Sequence, residues 1–95
     1  MQIIIVGCGN VGSTLTEQLS SEGHNVTVID MENQRLQNLI NNYDVMGVIG
    51  NGVSFAVQKD AGVEQAHLLI AVTGSDEVNL LCCLIAKKTG GCHTI

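Results

Sequence analysis

The amino-acid sequence predicts an α/β fold in which helices cover both faces of a parallel sheet. Short apolar runs that are typical of strands alternate with helical stretches along all 95 residues. The first of these runs, Ile3-Ile4-Ile5-Val6, is uninterrupted, as in strands that are buried on both faces. A glycine-rich turn then leads directly into the first helix. Strands that are joined by helices in this way pair in parallel through right-handed crossovers.

Glycines and asparagines mark the ends of the predicted helices. Gly23 ends the first helix, two asparagines end the second, Gly62 ends the third and Gly90-Gly91 ends the fourth. The predicted strands are 2–6, 25–29, 45–49, 67–72 and 92–95, and the predicted helices are 11–21, 32–42, 53–61 and 76–89. This alternation favours the strand order 3-2-1-4-5, a Rossmann-like doubly wound parallel sheet that is truncated after its fifth strand.

Length and composition restrict the chain to one globular domain, residues 1–95, with an aliphatic core. The net charge is −5 and the four basic residues form no broad patch, so the electrostatic footprint of a nucleic-acid-binding protein is missing. No apolar run approaches the roughly 20 residues that span a bilayer, and no basic segment precedes one as in a signal peptide. We therefore expect no direct membrane insertion and a cytoplasmic location.

The turn after the first strand has the spacing of a dinucleotide-binding fingerprint, G-x-G-x-x-G between a strand and a helix. Its residues are Gly7, Cys8, Gly9, Asn10, Val11 and Gly12. Gly7 permits the tight turn, Gly9 lets the backbone approach a pyrophosphate, and Gly12 lets the helix pack closely on the sheet. The helix N-terminus offers N–H donors and a positive dipole to the phosphates. The alternative interpretation is a structural glycine turn in a domain without a ligand.

An acidic residue, Asp30, follows the second strand, where it is placed to accept hydrogen bonds from a ribose diol. Because a carboxylate repels a 2′-phosphate, NAD is favoured over NADP, and Arg35 is the only nearby cation for such a phosphate. Asp30 does not distinguish NAD from ATP, ADP or AMP, which carry the same free diol. Asp30 is also a favoured residue for capping the second helix, and the two roles are compatible.

The predicted strand order brings four loops to one edge of the sheet. Since the switch point lies between strands one and four, Thr73 and Gly74 face the glycine-rich turn, and Asn51 and Gly52 follow the third strand. A ligand along this edge would place its phosphates over the glycine-rich turn, a ribose on the acidic residue, its base near Asn51 and Gly52, and its far end toward Thr73. Two alternatives stay open: a merely flexible turn at 50–52, and Thr73 as the cap of the fourth helix.

The four cysteines are expected to be reduced thiols. Cys8 lies beside a helix N-terminus, which can lower the pKa of a thiol and would permit a redox role. The other three cysteines are expected to be packing residues. No spacing of cysteine and histidine predicts a zinc site.

The fourth helix is apolar nearly all round. A helix of this kind is normally covered on both sides. One side packs on the sheet, and the other side requires further sequence or a partner subunit. We therefore expect self-association.

Four stretches of the sequence carry a resemblance to a known family. They are IIIVGCGNVGSTLTEQLSSEGHNVTVID, DVMGVIGNG, AGVEQAHLLIAVTGSDEVNLLCCLIAKK and the closing HTI. The first stretch is shared with many proteins of this fold, whereas the GNG turn together with LLIAVTGSDEVN is much more specific. On these motifs the chain resembles the N-terminal nucleotide-binding lobes of Trk-type potassium-uptake regulators, the RCK or KTN family.

The resemblance implies a regulatory role in potassium transport. Members are cytoplasmic, assemble as dimers or larger rings beneath a membrane-embedded potassium channel or transporter subunit, and bind NAD(H) or adenine nucleotides such as ATP and ADP. By resemblance, residues 7–11, Asp30, Thr73 and Gly74 contact the nucleotide, with Asn51 and Gly52 near its adenosine portion. Family members continue beyond the fifth strand, so the chain is expected to be a fragment that lacks the arginine usually found shortly after the HTI segment.

Two function hypotheses from different classes follow. The first is a regulatory nucleotide-binding module, not an enzyme, that controls potassium uptake through ligand-dependent rearrangement of paired lobes. The alternative is the cofactor-binding half of an NAD-dependent dehydrogenase, which requires a substrate domain and a general acid or base near the nicotinamide. These 95 residues encode neither, although truncation of a longer chain would also remove them, and a hydride-transfer assay on the full-length parent separates the two hypotheses.

Overall fold

Five parallel strands and four helices alternate along the chain in this computed structural model, which describes residues 1–95. The strands are β1 Gln2–Val6, β2 Asn25–Asp30, β3 Met46–Ile49, β4 Leu68–Ala71 and β5 His93–Thr94, and the helices are α1 Asn10–Ser21, α2 Asn33–Asn42, α3 Phe55–Asp60 and α4 Asp76–Gly90. The strand order is β3-β2-β1-β4-β5, and every neighbouring pair is parallel. The predicted Rossmann-like doubly wound fold is therefore confirmed.

Each predicted element is present, and no end differs from its predicted position by more than two residues. The third helix differs most at its start, because α3 begins at Phe55 rather than at residue 53. The Asn51 side chain accepts a hydrogen bond from the Val53 amide at 3.0 Å. Ser54 caps the helix by accepting one from the Val57 amide at 3.3 Å. These two polar side chains hold the residues before α3 as a turn.

Two aliphatic clusters, one on each face of the sheet, hold the helices in place. Alternate side chains of a strand point to opposite faces, so Ile4 and Val6 belong to the cluster under α3 and α4, and Ile3 and Ile5 to the cluster under α1 and α2. All four side chains are buried. The uninterrupted apolar run of β1 is thus explained by helices on both faces.

Two glycines bring the start of α1 against the end of β1. Gly7 has a φ of +107°, a conformation that side-chain-bearing residues rarely adopt. A Cβ atom at Gly12 would collide with the Gly7 carbonyl oxygen. The close packing that the sequence predicts for Gly12 is therefore present, and it fixes where the first amides of α1 point.

The longest helix, α4, leaves part of its apolar surface uncovered. Cys82 and Ala86 are buried against the sheet, whereas Leu80, Leu81 and Leu84 are exposed. The uncovered side that the sequence predicts is therefore present. No helix of the chain, α4 included, combines the length and the apolar character that crossing a lipid bilayer requires.

Candidate functional site

A crevice of about 410 Å³ opens along the carboxyl ends of β1, β2, β3 and β4. Seven of the predicted site residues line it: Gly7, Gly9, Asp30, Asn51, Gly52, Thr73 and Gly74. The other four lie beside it. Cys8 and Asn10 line a neighbouring groove between α1 and α2, Val11 is exposed in the first turn of α1, and Gly12 is buried.

The N-terminus of α1 differs from those of the other helices because no side chain caps it. Glu32, Ser54 and Ser75 accept hydrogen bonds from first-turn amides of α2, α3 and α4. At α1 the capping position is Gly9, and the first turn contains no acidic residue. A Cβ atom at Gly9 would meet nothing within 4 Å. The start of α1 therefore offers uncapped amides and open space to an anion.

Asp30 is a buried carboxylate at the end of β2. Its Oδ2 accepts a hydrogen bond from the Cys8 amide at 2.8 Å, and its Oδ1 accepts one from the Glu32 amide at 2.8 Å. Burial acts to raise the pKa of Asp30, but these two hydrogen bonds, the Cys8 thiol and the Arg35 charge outweigh burial, so the pKa lies below its usual value. Asp30 is therefore ionised at neutral pH.

The cap of α2 is Glu32, not Asp30. The Glu32 carboxylate accepts hydrogen bonds from the Gln34 amide at 3.2 Å and the Arg35 amide at 2.9 Å. The interpretation of Asp30 as the helix cap is therefore wrong. Asp30 lies two residues before the cap and lines the crevice, where its carboxylate joins the glycine-rich turn to the start of α2.

Arg35, the only cation near a 2′-phosphate position, is already paired with two carboxylates. Its Nη2 lies 3.3 Å from Asp30 Oδ1, and its Nε lies 3.7 Å from Glu32 Oε2. A 2′-phosphate would have to compete with both acidic side chains for this guanidinium. This pairing therefore disfavours a ligand with a 2′-phosphate, in addition to the charge of Asp30.

The thiol of Cys8 is buried beneath the crevice. Burial, then the hydrogen bond with Asp30 and the negative charge of Asp30, raise the pKa of Cys8 to about 12. The expectation that the helix N-terminus lowers this pKa is wrong, because desolvation and the neighbouring carboxylate dominate. Burial also raises the pKa of Cys82, to about 11, and that of Cys92, which supports their assignment as packing residues.

Thr73 is held by a side chain that the sequence analysis did not identify, Asn79 in α4. The Thr73 hydroxyl donates to Asn79 Oδ1 at 2.6 Å, the Thr73 amide donates to the same oxygen at 2.9 Å, and Asn79 Nδ2 donates to the Thr73 carbonyl at 3.2 Å. The cap of α4 is Ser75, whose hydroxyl accepts from the Val78 amide at 3.2 Å. The interpretation of Thr73 as the cap is therefore wrong.

A second residue that the sequence analysis missed, Gln58, supports the turn at Gly52. Gln58 is fully buried, and its Nε2 donates to the Gly52 carbonyl at 2.8 Å and to the Cys82 carbonyl at 3.0 Å. Its Oε1 has no hydrogen-bond partner in the chain. A Cβ atom at Gly52 would collide with Val6, so this turn lies directly against the end of β1.

Uncapped helix amides beside an ionised carboxylate, at adjacent ends of a doubly wound parallel sheet, define the class of Rossmann-type nucleotide-binding domains. Comparison with known sequences gives the family within that class. The sequence profile of the TrkA-N domain matches residues 3–95, and the chain belongs to this family. The resemblance inferred from the motifs is therefore confirmed.

Full-length relatives are much longer than this chain. The chain is 45% identical over 86 residues to the Trk system potassium uptake protein TrkA of Halomonas elongata, covering 90% of the chain and 19% of the relative. It is 42% identical over 95 residues to a TrkA homolog of Archaeoglobus fulgidus, covering 100% of the chain and 21% of the relative. The chain thus spans about a fifth of the length of these relatives.

Solved structures with the same fold include proteins with bound nucleotides. The TrkA-N domain of the inner membrane protein ybaL from Escherichia coli superposes with a TM-score of 0.85 at 26% identity, covering 97% of this chain and 67% of that one. The GsuK channel bound to NAD superposes with a TM-score of 0.85 at 24% identity, covering 98% of this chain and 17% of that one. The Shewanella denitrificans Kef CTD in its AMP-bound form superposes with a TM-score of 0.86 at 19% identity, covering 99% of this chain and 57% of that one.

Proposed function

We propose that this chain is the regulatory nucleotide-binding module of a potassium uptake system, and that its crevice binds NAD(H), with ATP or ADP at the same site. The observation that carries the proposal is the position of the ionised Asp30 beside the uncapped start of α1. The names of its TrkA relatives support the potassium system. The NAD-bound GsuK channel and the AMP-bound Kef domain support this ligand class.

Each part of the crevice fits one part of the ligand. The phosphates lie over residues 9–11 at the start of α1, where amides and open space face them. The adenosine ribose donates its hydroxyls to Asp30, and the base lies near Asn51 and Gly52. The far end of the ligand points toward Thr73 and Gly74 across the switch point.

The proposed role is regulatory rather than enzymatic. The three histidines of the chain lie outside the lining of the crevice, and its one acidic side chain is the hydrogen-bonded Asp30. A dehydrogenase half would need a general acid or base from another domain. A hydride-transfer assay on the longer protein that carries this chain tests the alternative, and sustained turnover would overturn the regulatory proposal.

The proposal includes assembly into a homo-oligomer, a dimer or larger ring, which acts on a membrane-embedded potassium channel or transporter subunit from the cytoplasmic face. The uncovered side of α4 supports assembly, since Leu80 and Leu84 are exposed there. Nucleotide binding would shift the relative orientation of paired copies by the difference in affinity between the two arrangements. The membrane subunit would respond to that shift.

Calorimetric titration with NADH, NAD, ATP and ADP tests the site. Asp30→Asn removes the charge that accepts the diol, and a hydrogen bond to a charged group contributes on the order of 1.5–3 kcal/mol. We therefore expect NAD and NADH affinity to fall about 10-fold or more. Asp44→Asn, at an exposed position outside the crevice lining, is the matched control and is expected to bind normally. Equal affinities of Asp30→Asn and the unsubstituted chain would refute the site.

A further inference from the structure

The carboxylate that receives the diol already accepts three hydrogen bonds from nitrogen donors. The Cys8 amide donates to Oδ2 at 2.8 Å, while the Glu32 amide at 2.8 Å and Arg35 Nη2 at 3.3 Å both donate to Oδ1. A carboxylate has about four lone-pair positions, two on each oxygen. Both positions on Oδ1 are therefore taken, and the Cys8 thiol, a weak donor, adds a further hydrogen bond to the same carboxylate.

A ribose diol that binds this carboxylate through both hydroxyls needs a vacant position on each oxygen. The two amide donors belong to backbone that is fixed by the end of β1 and the start of α2, so they cannot leave without local unfolding. The third donor is a side chain that is 54% exposed. Arg35 also has a second carboxylate close by, since its Nε lies 3.7 Å from Glu32 Oε2. Arg35 is therefore the donor that is able to leave.

We propose that the Arg35 guanidinium is a displaceable occupant of the diol position, and that a ligand with a free 2′,3′-diol replaces it on Asp30 Oδ1 and shifts it to Glu32. This inference rests on the proposed nucleotide site. A nucleotide without the diol leaves Arg35 in place. Arg35 is thus a specificity-determining residue, because it competes only with ligands that carry both hydroxyls.

The exchange also changes how α2 is attached to the sheet. Arg35 lies in the first turn of α2, and its contact with Asp30 joins that helix to the end of β2. When the diol takes this position, the joining contact is lost and the guanidinium pairs within its own helix turn. A free diol therefore loosens one contact between α2 and β2, which a nucleotide without the diol does not do.

The test compares AMP with 2′,3′-dideoxy-AMP, which differ only in the diol. The measured quantity is the ratio of two dissociation constants, that of the dideoxy compound divided by that of AMP. Because both compounds carry the same phosphate, any attraction between Arg35 and the phosphate cancels in this ratio. The guanidinium end of this pair is 54% exposed, and ion pairs that solvent reaches contribute about 0.2–1 kcal/mol. We therefore expect this ratio to rise up to about fivefold in Arg35→Met. Lys59→Met removes one positive charge outside the crevice lining and is expected to leave the ratio unchanged.

The outcomes separate this inference from the function on which it rests. A ratio that is unchanged or lower in Arg35→Met overturns the displacement. A ratio near one in the unsubstituted chain shows that the diol is not recognised, and it overturns the proposed nucleotide site instead. A second measurement needs no variant: the side-chain NMR signals of Arg35 are expected to shift with AMP and not with the dideoxy compound. An equal response to both compounds would also overturn the displacement.

Discussion

At the scale of single residues, the environment of Asp30 makes stability depend on pH. Its pKa is lower in the folded chain than in the unfolded chain, so its contribution to stability is present above the unfolded value and is lost as the pH falls through the folded value. We expect the free energy of unfolding to decrease below about pH 4, and to decrease less in Asp30→Asn. Urea unfolding at several pH values between neutral and strongly acidic checks this. If the free energy of unfolding decreased equally with pH in the unsubstituted chain and in Asp30→Asn, the assigned role of Asp30 would be contradicted.

Substitutions at two glycines of the G-x-G-x-x-G turn should affect different properties, stability at Gly12 and nucleotide binding at Gly9. Gly12→Ala forces a Cβ atom against the Gly7 carbonyl oxygen, so we expect a loss of about 1–3 kcal/mol in the free energy of unfolding. Gly9→Ala places its Cβ in open space at a negative φ that alanine accepts. Its loss should stay below about 1 kcal/mol, while its affinity for NAD falls, because the methyl group would occupy the proposed phosphate position. Urea unfolding measures the stability of both variants, and calorimetry measures their affinity for NAD. Normal NAD binding by Gly9→Ala would contradict the proposed phosphate position.

At the scale of secondary-structure elements, buried Gln58 connects α3 to α4 and to the turn at Gly52. Replacing it with Met would leave the Gly52 and Cys82 carbonyl oxygens without their donor. We expect Gln58→Met to lower the free energy of unfolding by about 1–3 kcal/mol. Gln65→Met, at an exposed position, serves as the control and should change stability little. An unchanged urea midpoint in Gln58→Met would show that these bonds do not hold the two helices together.

The elements that were predictable from sequence are those with a local signal. Apolar runs, together with the glycines and asparagines that end helices, defined every strand and helix, and the strand order followed from the connections. Residues that act at a distance had no such signal. Asn79, in α4, accepts a hydrogen bond from the Thr73 amide in the loop before that helix. Gln58, in α3, donates a hydrogen bond to the Cys82 carbonyl in α4. Spacing rules describe helix faces and caps, so they cannot reveal a side chain whose partners are backbone groups of another element.

The same limit explains the errors within the site. Asp30 and Thr73 are residue types that favour helix caps, but the caps belong to Glu32 and Ser75, which lie two residues further along the chain. The pKa of Cys8 was expected to be lowered by the helix N-terminus, yet burial and the Asp30 carboxylate raise it. In each case the sequence identified the correct location, whereas the contact depended on how the backbone turned there.

At the scale of the whole molecule, the charges at the two ends of α4 suit pairing with a second copy. Asp76 and Glu77 lie in its first turn and Lys87 and Lys88 in its last turn, with exposed Leu80 and Leu84 between them. In an antiparallel pair of α4 helices, the acidic end of each copy meets the basic end of the other, and the leucines meet at the centre. Such a contact is isologous, as in most symmetric dimers.

Charge reversal tests this arrangement. We expect the double variant Lys87→Glu, Lys88→Glu to weaken self-association, because acidic groups would then face acidic groups across the pair. Adding Asp76→Lys and Glu77→Lys to the same chain exchanges the two ends and should restore association, which a mere loss of folding could not produce. Lys59→Glu, in α3, changes one charge away from α4 and should leave association unchanged. Sedimentation velocity at micromolar concentration measures the association of all four proteins.

A strict monomer in the unsubstituted chain would refute self-association. Failure of the variant with all four substitutions to associate would refute the antiparallel α4 contact, while other interfaces would stay open to test.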